Sequence, residues 1–484
     1  MPRARILLLA AALFCGACMK GPKYSKPAAP VPTAYKETPP AGWKEAQPSD
    51  ELIRGKWWEL YNDPALNALE EQVEISNQNV LAAEAQYRVA KAAVRAARSA
   101  LFPLVTGSAS ATFSEASSRG LSAAGRGGSS GVNQNYILPI DVSWQPDVWG
   151  SIRRSVNSNV ALTQAAGAQM ENVKLLFQSE LALDYFQLHG LDGERDLLER
   201  TVKDYREYLD LVRRRFEGGI ATDADVAQAE TQLYNAEIAL TDVGVARAQL
   251  EHAIAVLIGK PPAEVAVAPA ILSAPPPAVP VALPSTLLER RPDIAEAERH
   301  VAAANEQIGI AKAAYFPALT LGGTVGLQSS SFVNWLTWPS RFWSVGPQLA
   351  ETLFDAGRRR AEVQSAEAQY DATAANYRQT VLTAFQQVED NLAALRILET
   401  ETAQQDRATA AAERAFSVSS AQYQAGTATY LQVLIAQTVV FQDQRASINL
   451  LTRRLAASVS LIQALGGGWD ASKLPSASTV RSSR

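Results

Sequence analysis

Cysteine is nearly missing from this chain. Among 484 residues only Cys15 and Cys18 carry a thiol, so nothing beyond position 18 can form a disulfide or a thiolate metal site. Histidine is scarce too. His189, His252 and His300 lie far apart, each inside a helical pattern, where a packing or surface role is the expectation and a metal site is not. There is no long basic run, and the net charge is only -4, which argues against a nucleic-acid footprint. A phosphate-binding loop, a zinc-protease helix and a dinucleotide fingerprint are all absent. Gly127, Ser129 and Gly131 match the spacing of a nucleophile elbow, but they sit in a Ser/Gly loop with no partner triad. No enzyme is expected, and no cofactor. The apolar run Ile6 to Phe14 is too short to span a bilayer as a permanent helix.

That run has another use. Arg3 and Arg5 precede it and Cys15-Gly16-Ala17-Cys18 follow it, the order of a secretory signal over residues 1–17. Gly-Ala-Cys resembles a bacterial lipoprotein box, which implies cleavage before Cys18 and lipid on its thiol. The leucine usual three residues earlier is Cys15 here. Met19 follows rather than the aspartate that retains lipoproteins in the inner membrane, so the resemblance implies an outer membrane lipoprotein. Residues 18–60 then form an anchored N-terminal segment, rich in Pro, Ala and Lys up to Pro48 and expected to be extended along the surface.

Glycine and proline are missing from Arg358 to Ala425, and helix formers fill the stretch. Val381, Phe385, Val388, Leu392 and Leu395 recur at alternating steps of four and three, one apolar seam on a helix. Such a helix would be about 100 Å long. The stretch also has a counterpart. Phe102-Pro103, where a first helical pattern stops, returns as Phe316-Pro317, 214 residues on. Gly150, Gly219 and Gly259 return as Gly357, Gly426 and Gly466, each 207 residues on. A seven-residue insertion between the two sets reconciles the offsets. The chain reads as a duplication. Residues 61–260 form one repeat, with a hairpin over about 102–147 and long helices over about 150–259. Residues 261–284 are a Pro-rich connector. Residues 285–467 form the second repeat, with a hairpin over about 316–354 and helices over about 357–466. A tail covers 468–484. Gly167, Gly190 and Gly193 are candidate soft points in the first long helix, and Thr222 and Thr427 or Thr429 candidate caps of the return limbs.

Leu104 to Phe113, Tyr136 to Gln145, Ala318 to Gln328 and Phe342 to Leu353 read as strands of about ten residues with weak alternation, the length that spans a membrane. Aromatics such as Phe102, Trp144, Trp149, Phe316 and Trp343 gather near their ends. Two soluble hairpins packed on the helices would also fit the pattern. If the strands are in lipid, four cannot close a barrel, and several chains must share one.

Several motifs carry a resemblance to the TolC family of outer membrane channels, in the lipoprotein branch paired with multidrug and metal efflux pumps. They are Gly21-Pro22-Lys23-Tyr24, Trp57-Trp58 with Asp63-Pro64, Arg290-Arg291-Pro292-Asp293-Ile294, Phe316-Pro317, Leu353-Phe354-Asp355-Ala356-Gly357-Arg358-Arg359, and Tyr423-Gln424-Ala425-Gly426 before Tyr430-Leu431. The resemblance implies a mainly α fold with a membrane β-barrel part, built as a homotrimer whose twelve strands continue into a twelve-helix α-barrel. It also implies passive export, a periplasmic adaptor protein and an inner membrane pump of the RND type. Residues near Gly219 and Gly426 would form an iris-like periplasmic gate. Leu431 takes the position of a gating leucine, beside Tyr430. Ile435 and Thr438 stand where relatives carry an Asp and an Arg, so a carboxylate ring would have to come from Asp223 or Asp225, which could equally be first-turn acids at a helix dipole. The alternative function is a lipid-anchored periplasmic coiled-coil scaffold without a pore.

Overall fold

The computed structural model describes residues 19–37, 55–115, 132–279 and 289–482. The signal segment, Cys18, the Gly127 to Gly131 stretch and the end of the connector lie outside these.

Asp63 starts the body. Its carboxylate accepts from the backbone N–H groups of Ala65 and Leu66 and so caps α1 (Pro64–Ser76), with Pro64 at the first helical position. Asn77 ends α1 and caps α2 (Gln78–Ser99) by accepting from Asn79 and Val80. Then come β1 (Leu104–Gly107), β2 (Ser110–Ser114) and β3 (Asn133–Trp144). The first long helical pair is α3 (Ser151–Glu217) and α4 (Asp223–Leu257). The second repeat supplies α5 (Pro292–Ala313), β4 (Ala318–Ser329), β5 (Arg341–Ala350), α6 (Arg358–Gln424) and α7 (Tyr430–Ala464). A short α8 (Ala477–Ser482) follows.

The duplication is exact in the lengths of three helical pairs. The paired helices are 22 and 22, 67 and 67, and 35 and 35 residues long. It also extends to a joint where the return limb meets the next helical layer. Gly259 has φ +72, and a Cβ there would lie 2.2 Å from the Ser76 carbonyl oxygen; Gly466 has φ +95, and a Cβ would lie 2.0 Å from that of Arg290. Only glycine serves both the left-handed backbone and the close approach. One residue further on, the two repeats do the same task with different chemistry. The Asn77 amide donates to the Leu257 carbonyl at 2.7 Å, and the Arg291 guanidinium donates to the Ala464 carbonyl at 2.9 Å.

The seam of α6 is buried at all five positions, from Val381 to Leu395, within one core shared with α1, α3, α5 and α7. The helix α3 runs through Gly167, Gly190 and Gly193 without a break. Gly190 marks a close approach: a Cβ would meet the Thr452 hydroxyl of α7 at 2.4 Å. His189 is a packing residue, buried with its Nδ1 2.9 Å from Asp192. Asp192 also accepts from Arg247 and from the Ala270 backbone, which ties the connector to the helices.

One buried group has no such answer. Glu70 stands between Leu66 and Val73 on the inward face of α1, fully buried, and neither carboxyl oxygen accepts a hydrogen bond. Desolvation pushes its pKa well above the ordinary carboxylate range. The folded protein therefore holds a proton that the unfolded chain releases. Stability is whole below the unfolded value and falls as pH rises toward the folded one, by about 1.4 kcal/mol per pH unit. Glu70→Gln is expected to remove that slope. Helix unfolding followed from mildly acidic to neutral pH measures it, and parallel curves for the two proteins would refute it.

Candidate functional site

Two ends of the molecule hold what the core does not explain. At one end the strands form a single antiparallel sheet in the order β1-β3-β4-β5, with β2 also on β3. The first strand is split, so Leu104 to Phe113 is not one run but two short strands. Glu351 to Leu353 lie beyond the end of β5.

Register turns the weak alternation into two distinct faces. Ile140 pairs with Val325 and Val325 with Trp343; Val142 pairs with Gly323 and Gly323 with Val345; Trp144 pairs with Leu321. Because successive side chains alternate, these residues share one face, joined by Val105 opposite Val142. The opposite face carries Asp141, Ser143, Thr320, Thr324, Ser344 and Gln348. There the Thr324 hydroxyl donates to Asp141 at 2.6 Å.

No helix among the described residues covers the apolar face: Val325 is 54% exposed, Trp343 74% and Val345 77%. Hairpins packed on the helices are therefore not what this chain builds. Both lateral edges, β1 with β2 on one side and β5 on the other, are unpaired among the described residues of the chain. Aromatics gather at the two ends of the sheet. Tyr136 contacts Phe113, Phe332 and Trp335 at one end; Trp149 stacks on Phe316 at the other. Among the described residues no helix is long and apolar enough to cross a membrane.

At the far end lie the two helical turns. Gly219 and Gly426 both have positive φ, and the backbone closes identically: Ile220 donates to the Arg215 carbonyl, Thr427 to that of Gln422. Thr222 caps α4 in a reciprocal capping box, and at the start of α7 the Thr429 N–H donates to the Gln432 side chain at 3.3 Å. The turns pack side by side. Arg215 donates to the Gln424 carbonyl at 3.0 Å, and its guanidinium lies 4.2 Å from the centre of the Tyr423 ring. Tyr208 and Ser420 hydrogen-bond at 2.6 Å.

The proposed tip residues divide accordingly. Leu431 is half exposed and Asp223 exposed. Asp225 is engaged in the capping box, accepting from the Thr222 backbone and hydroxyl at 2.9 and 2.8 Å. Tyr430 is buried against Tyr423 in the core between the hairpins, and its hydroxyl pKa is raised by desolvation. It supports the turn and does not line a surface. The Arg215–Tyr423 contact does not follow from sequence spacing. Its one signal there is the recurrence of tyrosine at 205, 208, 423 and 430, all near the turns.

The N-terminal strap runs from the foot of the sheet to the middle of α6. The Lys20 N–H donates to the Trp149 carbonyl at the foot of the sheet. Tyr24 bonds Glu298 of α5, and the Lys36 and Glu37 backbones donate to Glu389 of α6 at 2.7 and 2.9 Å. Among the described residues no group of three or more His, Cys, Asp and Glu gathers as metal ligands would.

Comparison with known proteins agrees with this architecture. The chain is 31% identical over 472 residues to a probable efflux pump outer membrane protein, TtgC of Pseudomonas putida, covering 97% of this chain and 96% of that one. It is 29% identical over 481 residues to the pyoverdine export outer membrane protein OpmQ of Pseudomonas aeruginosa, covering 98% of each. The solved outer-membrane channel OprN superposes with a TM-score of 0.82 at 28% identity, covering 93% of this chain and 100% of that one. The sequence profile of outer membrane efflux proteins matches residues 69–260 and 283–467. This chain belongs to the outer membrane efflux protein family.

Proposed function

We propose that the protein is the outer membrane channel of a tripartite efflux system, a passive trimeric conduit anchored by lipid on Cys18. The uncovered apolar face of the sheet carries the reading. In water that face would be a large aggregation hazard, whereas against acyl chains it is the stable arrangement. A sheet in lipid cannot leave its two lateral edges unpaired. Four strands from each of three copies close twelve, and the polar face bearing Asp141 and Thr324 then lines the lumen. The paired helices of three copies extend the tube by about 100 Å into the periplasm. There the tip meets a periplasmic adaptor and, through it, an inner membrane pump of the RND type.

Purified protein is expected to run as a trimer in detergent and to conduct ions in planar bilayers. A stable water-soluble monomer without conductance would sink the proposal and favour the tethered scaffold. At the tip, Leu431→Ala is expected to raise resting conductance several-fold, because Leu431, half exposed where Tyr430 is buried, is the residue we assign to the narrowest ring. Unchanged single-channel conductance would move the constriction elsewhere. For the anchor, Cys18→Ala is expected to abolish incorporation of labelled palmitate, since no other thiol remains after cleavage; persistent labelling would refute the assignment.

A further inference from the structure

Where the helices meet the sheet there is a cavity of about 700 Å³ whose lining is strongly basic. Lys23, Arg98, Arg153, Arg154 and Arg481 converge on it from four separate elements: the N-terminal strap, α2, α3 and α8. Two of these cations are answered. Arg153 pairs with Asp147 at 3.0 Å, and Arg154 pairs with Glu306 at 2.9 Å. Lys23, Arg98 and Arg481 have no carboxylate within 4.0 Å among the described residues. Arg98 donates to the Arg481 carbonyl, and Arg481 reaches the Asn157 amide oxygen at 2.6 Å, so two like charges are held together by neutral acceptors. Arg154 is 3% exposed, and its Nε–H finds no acceptor. Gathering this much positive charge costs free energy unless an anion answers it.

The position of the cavity narrows what that anion is. Leu101 lines it two residues before Pro103 and three before β1 begins; the adjoining Phe102 and Leu104 are about two-thirds exposed. Met19 lines it as well, seated against Gly150 in close contact. The residue next to the proposed lipid-bearing Cys18 thus opens onto the cavity. A diacylglycerol thioether on Cys18 is uncharged and leaves the cations unanswered.

We propose that this cavity binds the phosphate of an anionic phospholipid headgroup from the periplasmic leaflet, with the acyl chains rising past Phe102 and Leu104 beside the anchor. Guanidinium forks suit phosphate oxygens, and a cavity at the foot of a lipid-facing sheet lies at headgroup depth. The proposal rests on the sheet being in the membrane.

The test uses the full-length lipidated protein, reconstituted in nanodiscs of phosphatidylglycerol and phosphatidylcholine with identical acyl chains. Bound lipid is read by native mass spectrometry after release. Wild type is expected to retain phosphatidylglycerol selectively. Arg98→Gln with Arg481→Gln is expected to lower that selectivity about tenfold or more, because two charged donors are lost without breaking an ion pair. Lys23→Gln, in the strap and clear of α8, gives the same reading if the double variant misfolds. Equal retention of the two lipids by wild type, or unchanged selectivity in both variants, overturns the proposal. Displacement of phosphatidylglycerol by millimolar inorganic phosphate also overturns it, in favour of a free-anion site. Conductance of the same preparations separates the two ideas: wild type that fails to conduct defeats the channel reading, whereas conducting protein without lipid selectivity defeats only this one.

Discussion

An arginine at Val345 is expected to keep this protein out of the membrane, and an arginine one residue earlier, at Ser344, is expected to leave assembly intact and lower conductance. The opposite outcomes follow from the pleat. Val345 lies in the middle of β5, opposite Gly323, on the face shared with Ile140, Val142 and Trp343, and it is 77% exposed with nothing above it among the described residues. A charge on the lipid face near the bilayer centre costs about 2–4 kcal/mol per copy, and a closed trimer carries three copies. Ser344 pairs with Thr324, whose hydroxyl is bound to Asp141, on the other face. A cation there enters water and stands near the one carboxylate of the described strands, so it narrows the lumen and weakens any attraction for cations without a desolvation cost. Membrane fractionation, oligomer stability in detergent and single-channel recording read the pair. Val345→Leu serves as the control for change of volume. If Val345→Arg inserted and assembled like wild type, the apolar face would not be the lipid face.

The helical half of this architecture was legible in the residues, and the reason is local. Periodicity along Val381 to Leu395 and the glycine pairs Gly219/Gly426 and Gly259/Gly466 are each set by a few neighbouring positions, so the long helices end within about two residues of their expected limits. The sheet was less legible. Pro139, Gly322, Gly323, Gly326 and Pro347 interrupt the alternation within single strands. The two faces emerge only when Ile140, Val325 and Trp343 are set side by side by the register. At the tip, Thr222 was legible as a cap, but the Asp225 carboxylate accepts from the Thr222 N–H and hydroxyl, which competes with any role for it in a ring. Tyr430 is buried beside the turn, and the groups that bury it, Tyr423 of its own turn and the neighbouring hairpin, could not be placed from spacing alone. Similarly, Asn77 and Arg291 occupy equivalent joints. An alignment of residue types does not pair an amide with a guanidinium; only the shared carbonyl acceptors, Leu257 and Ala464, do so.

That joint makes the last expected result the largest in stability. Arg291→Met should cost about 3–5 kcal/mol, the range for removing one member of a buried charge pair. Arg291 is 7% exposed. Its guanidinium donates to Asp293 in a two-pronged bond at 3.0 and 2.6 Å, to Gln387 of α6 at 2.8 Å and to the Ala464 carbonyl at 2.9 Å. One side chain thus ties the start of α5 to the middle of α6 and the end of α7. Asn77→Ala, at the equivalent place, removes a neutral amide and should cost only about 1–3 kcal/mol. Arg291→Lys should not rescue, because an ammonium cannot span three acceptors in one plane. Much of the Arg291→Met loss is the unpaired carboxylate left behind, so adding Asp293→Ala should recover part of it, even though a side chain capping Ile294 is lost as well. Denaturant unfolding of the four variants by helical circular dichroism orders them. Equal losses at Asn77 and Arg291, or full rescue by lysine, would mean that the second joint is held by packing around Gly466 and not by the charge.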